Sequence, residues 1–184
     1  MAATDTKELI KKLTDEDDEV IIATLELLKD KGNATVVPAL LDLLLTEPSY
    51  SITQQILELL NNMKVPAAMD MFLQLFAEKK YSPVHHHLLS VLWNGTFGSK
   101  VNHHLLDIVK IGVSGDYRTM VEALTVIENL EAPFDEEQLL EGISFGKDFL
   151  ATQKDSEKSV LVKELVALLE HMDNTNSDID IEEI

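Results

Sequence analysis

The 184-residue chain contains no cysteine. That rules out a disulfide framework, a thiolate metal site and a cysteine nucleophile, and it is compatible with the cytosol. Aromatic residues are scarce at 5% while Leu, Ile, Val and Ala dominate, which suits helix-on-helix packing better than a sheet core. With seven glycines there is no phosphate-cradling Gly-rich loop, and no serine stands in a Gly-x-Ser-x-Gly nucleophile elbow. Long apolar runs are missing as well: Met1 to Thr14 is interrupted by Asp5, Lys7, Glu8, Lys11 and Lys12, so neither a signal peptide nor a membrane span is expected. Basic charge is in short supply, with 15 Lys and Arg against 33 Asp and Glu and a net charge of −18. A field of that sign repels nucleic-acid phosphates and anionic lipid headgroups, keeps a Leu-rich protein dispersed, and attracts a basic partner. A cytoplasmic protein that binds neither nucleic acid nor membrane is the expectation.

What the chain does contain is a repeat. Residues 18 to 44 read as two amphipathic helices joined at Gly32-Asn33, and Leu25-Glu26-Leu27-Leu28 returns as Leu57-Glu58-Leu59-Leu60. The same step carries Ile56-Leu57-Glu58-Leu59-Leu60 onto Leu88-Leu89-Ser90-Val91-Leu92, and a slightly longer one reaches Ala123-Leu124-Thr125-Val126-Ile127. Each first helix has a partner with its own apolar stripe: Leu40, Leu41, Leu43 and Leu44 are echoed by Met69, Met71, Phe72 and Leu75, then by Leu105, Leu106, Ile108 and Val109. Such helices are too short and too apolar on one broad face to stand alone, so neighbours must supply the core.

The spacing predicts ten helices, at about 5–13, 17–30, 34–46, 49–63, 66–79, 83–94, 100–112, 117–130, 135–151 and 156–172. Ser82 stands as an N-cap before Pro83, Asp135 with Gln138 forms a capping box, and the segment Gly112 to Gly115 reads as a turn between repeats. One repeat domain is expected over 1–172. Beyond Met172 the composition changes to five acids and no base, which reads as a mobile acidic tail over 173–184.

From Val20 to Leu44 the chain resembles a HEAT repeat of the short bacterial type, on Asp18, Val20, Leu28, Gly32, Val37, Pro38, Ala39, Leu40, Leu41 and Leu44. Two departures stand out: Ile21 where the family often has arginine, and Thr24 where it often has alanine. The resemblance implies an all-α fold, a right-handed α-α superhelix or solenoid of about four to five helix hairpins whose second helices line an inner surface that holds partners. It implies no catalytic residues and no cofactor. Similar proteins include scaffolds, assembly factors, chromophore lyases and DNA glycosylases.

Placed in register, the second helices carry Asp42, Asp70, Asp107 and Glu141 at one position, each after two apolar residues. The functional reading is a column of carboxylates that captures a Lys/Arg-rich segment; the plainer one is a solvated helix face. The histidines cluster as His85-His86-His87 and His103-His104, on what the repeat makes the two helices of one hairpin. Three consecutive histidines point about 100° apart, so they do not share a face as metal ligands would, and no metal site is expected. Trp93 beside Asn94-Gly95, with Phe97 close by, reads as core packing or a Schellman-type hydrophobic contact at a helix end rather than a ligand platform. The chain is therefore expected to be a non-enzymatic protein-protein interaction module: an adaptor, scaffold or inhibitor. The alternatives are a chromophore-lyase-type enzyme or assembly factor, and a structural protein that self-associates through its repeat ends.

Overall fold

A computed structural model describes residues 6–31, 34–62, 66–93, 98–153 and 156–182, with side chains described except at 31, 66–70, 98–100 and 177–182. The described residues form ten α-helices and three short 3-10 segments, and no strand. Contacts gather the chain into two compact units, residues 1–96 and 97–184.

The first unit contains α1 (Thr6–Lys12), α2 (Asp18–Lys31), α3 (Val37–Leu44), α4 (Tyr50–Asn61), α5 (Pro66–Ala77) and α6 (His85–Trp93), with 3-10 segments at Ala34–Val36 and Lys79–Val84. Helices next but one in the chain pack side by side, α2 on α4 and α4 on α6, while α3 also meets α4. That is the arrangement the repeated apolar stripes demand: Leu25 and Leu28 of α2, Leu40 and Leu41 of α3, Ile52, Ile56 and Leu60 of α4, and Leu88 and Leu89 of α6 are all buried. Lys29 laces the layer, its ammonium 2.9 Å from Glu26 on its own helix and 3.1 Å from Glu58 on α4.

In the second unit a 3-10 segment (Gly98–His104) leads into α7 (Leu105–Ser114), followed by α8 (Tyr117–Glu128), α9 (Glu136–Thr152) and α10 (Glu157–Glu182). Again α7 packs on α8 and α9, and α10 on α8 and α9. Caps set the helix starts. Asp116 accepts from the Thr119 backbone N–H (2.8 Å) and hydroxyl (2.6 Å), and Ser156 and Ser159 exchange hydrogen bonds between side-chain oxygens and backbone amides at 3.2 and 3.3 Å.

Several local readings change. Asp135 does cap α9, accepting from the Gln138 N–H at 3.0 Å, but the Gln138 side chain closes no capping box. It reaches α7 instead, accepting from the Leu106 N–H (3.1 Å) and donating to the His103 carbonyl (3.2 Å), because the start of a neighbouring helix offers an unsatisfied donor of its own. Ser82 lies inside a 3-10 segment and donates to the Lys79 carbonyl rather than capping a helix. Gly112 belongs to α7, not to a turn: a Cβ there would lie 2.5 Å from the Ala123 Cβ, so this glycine sets how closely α7 and α8 approach. Trp93 ends α6 with 41% of its surface exposed, and Asn94 to Phe97 lie outside the described residues. Finally, α10 continues past Met172, and Asn176 holds the segment before α9, accepting from the Phe134 N–H (3.0 Å) and donating to the Phe134 carbonyl (2.9 Å).

Candidate functional site

The register acids take their positions from the amphipathic pattern of the helices that carry them. On α3, Leu40, Leu41, Leu43 and Leu44 turn inward and are buried, which leaves Asp42 facing solvent. Lys80 makes an ion pair with Asp42, and the Tyr81 hydroxyl donates to the same carboxylate oxygen at 3.1 Å. The Lys80 ammonium also stands 4.9 Å from the centre of the Tyr81 ring. Hydrogen bonding to Asp42 raises the Lys80 pKa above its ordinary value. Burial, and then the adjacent carboxylate, push the Tyr81 phenol up from 10.0.

Asp42 borders a groove of about 480 Å³ that lies wholly within the first unit, between α1, α2, α3 and the start of α4. Ile10, Leu13, Ile21, Ala39, Leu43 and Ile52 form its apolar lining, and Asp15, Asp18 and Asp42 supply carboxylates. Ile21 makes part of that wall and adds an apolar side chain to it. Thr24, the other departure, is buried, and its hydroxyl donates to the Val20 carbonyl at 2.7 Å. Between Thr46 and Pro48, both groove residues, Glu47 sits at φ 52° in the left-handed region.

In the second unit Asp107 lies 3.5 Å from His104 Nδ1, and Glu141 of α9 lies 3.6 Å from Lys110 of α7. All four of these side chains are at least a quarter exposed. Asp42 and Glu141 are thus each joined to a lysine of the same chain and Asp107 lies beside the His104 imidazole, and none of the three is joined to another register acid. Asp70 falls on α5, but its side chain lies outside the described residues.

His85 is 8% exposed and meets Phe76 edge-on, ring centres 5.2 Å apart; His86 and His87 stack at 4.0 Å. These three belong to the first unit, His103 and His104 to the second. Among the described residues no group of three or more His, Asp or Glu side chains is disposed to hold a metal ion.

A second cavity of about 580 Å³, in the second unit, is bounded by Phe145, Phe149, Gln153 and Lys158 among others. Its lysine is occupied: Lys158 donates to the Val113 and Gly115 carbonyls at the carboxyl end of α7 and stands 4.9 Å from the Phe149 ring centre. Burial lowers its pKa below 10.5, opposed by the charge of Asp116. Sequence reading missed both cavities. The acidic run Asp15-Glu16-Asp17-Asp18 and the apolar Ile21 were the available signals for the first; nothing about Lys158 set it apart.

Helix hairpins in which next-but-one helices stack define a class, the α-helical repeat proteins. The family model for HEAT repeats matches residues 6–93, and this stretch, just under half of the chain, is a HEAT-repeat region. No curated protein and no solved structure matches the chain. HEAT repeats are in general protein-interaction scaffolds and are usually not enzymes. No helix among the described residues is long and apolar enough to cross a membrane.

Proposed function

We propose that this protein is a non-enzymatic, cytoplasmic interaction module, an adaptor, scaffold or inhibitor, that takes basic segments of another protein on the carboxylates of Asp42, Asp70, Asp107 and Glu141. The observation that carries the reading is the company these acids keep. Asp42, Asp107 and Glu141 are half or more exposed; a solvent-reachable lysine holds Asp42 and another holds Glu141, and Asp107 lies beside the His104 imidazole. Exposed ion pairs of this kind exchange at little net cost, so a partner's Lys or Arg can take the place of Lys80 or Lys110 and can meet Asp107 beside His104.

The test is capture of partner proteins on the full chain, followed by affinity measurement with Asp42→Asn, Asp70→Asn, Asp107→Asn and Glu141→Gln combined. The combined variant is expected to weaken binding at low salt and to flatten its dependence on ionic strength. Recovery of no protein partner, or an affinity the four substitutions leave unchanged, refutes the proposal.

A further inference from the structure

We infer that the groove between α1 and α4 is a docking site for an amphipathic segment of a different protein, one that presents large aliphatic side chains flanked by Lys or Arg. This rests on the reading that the module takes basic partners, and it names where and how. The cavity, at about 480 Å³, is within the size range of sites that enclose several side chains. Its floor is aliphatic, built from Ile10, Leu13, Ile21, Leu43 and Ile52. Among the described residues no Lys, Arg or His lines it, whereas Asp15, Asp18 and Asp42 do. Apolar floor and anionic border call for an occupant with the opposite border, in the manner of an amphipathic helix laid in a groove.

Charge also decides against the occupants the chain itself could offer. A second copy would bring the same carboxylates and a net charge of −18 to a surface already acidic, and the residues after Met172 hold five acids and no base. Asp42 is the point of exchange. Lys80 holds it from outside the groove lining, and Tyr81, 3% exposed, keeps its hydroxyl on the carboxylate. A partner ammonium or guanidinium arriving with its aliphatic neighbours would displace Lys80, while the Tyr81 hydrogen bond keeps Asp42 aimed.

The probe is a synthetic helical peptide of about fourteen residues with Leu at i, i+3, i+4 and i+7 spacing and Lys elsewhere, compared with two sisters. One has Glu in place of Lys; the other has Ser in place of Leu. Binding is followed by NMR on the full chain with labelled isoleucine methyl groups. The Leu/Lys peptide is expected to shift Ile10, Ile21 and Ile52 and to leave Ile108, Ile127 and Ile143 of the second unit in place, with neither sister binding comparably. Thr46→Trp, a substitution at an exposed groove residue, is expected to weaken binding at least about tenfold, and Thr14→Trp on another wall gives a second plug should the first misfold. Lys80→Met is expected to tighten binding about two- to fivefold, and Lys110→Met, which makes the same change in charge in the second unit, to do much less.

If the Leu/Lys and Ser/Lys peptides bind alike and both plugs are silent, basic capture stands and the groove assignment is overturned. If no Lys-bearing peptide binds, the reading on which it rests fails as well. Equal binding of the Glu peptide removes the charge basis and overturns the inference. So does a dimer, seen by light scattering, that Thr46→Trp abolishes.

Discussion

Replacing Gly112 by alanine tests whether the α7–α8 hairpin is as closely packed as the fold requires. Alanine at an internal helical position is favoured over glycine by about 0.8–1 kcal/mol, so local preference alone predicts a stabilised α7. The added Cβ, however, would stand 2.5 Å from the Ala123 Cβ, with the Met120 sulfur at 3.5 Å. Carbon atoms rest at about 3.5–4.0 Å, so the two helices must part by roughly 1 Å, and Ala123 has no rotamer by which to withdraw. Overpacking costs about 1–3 kcal/mol, and this rigid contact belongs at the upper end. The net expectation is a loss of about 2 kcal/mol, or roughly 4–8 °C in Tm for a chain of this length. Transposing the pair supplies the control. Ala123→Gly alone should cost about 1 kcal/mol through helix preference, whereas Gly112→Ala with Ala123→Gly should fall within about 1 kcal/mol of the parent, a coupling of about 3 kcal/mol. Urea unfolding followed by circular dichroism at the helical band measures all four proteins. A Gly112→Ala variant as stable as the parent, or a transposed pair as unstable as the sum of its parts, would refute the close-packing reasoning.

The other predictions concern charge and capping. Asp116→Ala removes the acceptor for the Thr119 amide and hydroxyl and should destabilise the second unit by about 1 kcal/mol in the same assay. Because Asp116 opposes the burial that depresses the Lys158 pKa, the same variant should lower that pKa further, and an NMR titration of the lysine side chains should find Lys158 losing its proton before Lys29 and Lys80. The sign for stability follows: below 10.5 the unfolded chain holds more protons at Lys158 than the native one, so this group's contribution rises with pH through that window, and Lys158→Met should abolish the rise. Asn176→Ala should speed amide hydrogen exchange in the last turns of α10 several-fold while leaving amides near Val162 and Leu165 unaffected, since it removes both bonds to the Phe134 backbone.

The hairpin pattern was legible because it is written in burial. Leu25, Leu40, Ile56, Leu88, Ile108 and Ile127 recur at helical spacing and are all buried, so the period of the sequence and the period of the core are one signal. Contacts between helices were less legible, since they join residues far apart in the chain, 32 positions for Leu106 and Gln138 and eleven for Gly112 and Ala123, whose identities carry no local mark. Gln138 looked like half of a capping box and instead serves another helix; Gly112 looked like punctuation and is a packing contact. The spacing of Asp42, Asp107 and Glu141 was visible, but the side chains against them were not, because Lys80, His104 and Lys110 occupy no common repeat position.

The chain's own lysines change what the excess of acid means. Lys12, Lys29, Lys80, Lys110 and Lys147 each contact a carboxylate of the same chain, and Lys158 goes to backbone carbonyls. With 33 acids against 15 Lys and Arg, even complete pairing leaves a surplus of carboxylates. On an ordinary helix face such a surplus is solvated and adds little beyond solubility. Beside an apolar groove its effect differs, because an occupant that covers the aliphatic floor also excludes water near Asp15, Asp18 and Asp42. Carboxylates left there without a counterion would oppose docking, and carboxylates met by Lys or Arg would favour it. Under the proposed docking, the acids at the groove would therefore select among apolar partners by charge, which a uniformly solvated acidic surface does not do.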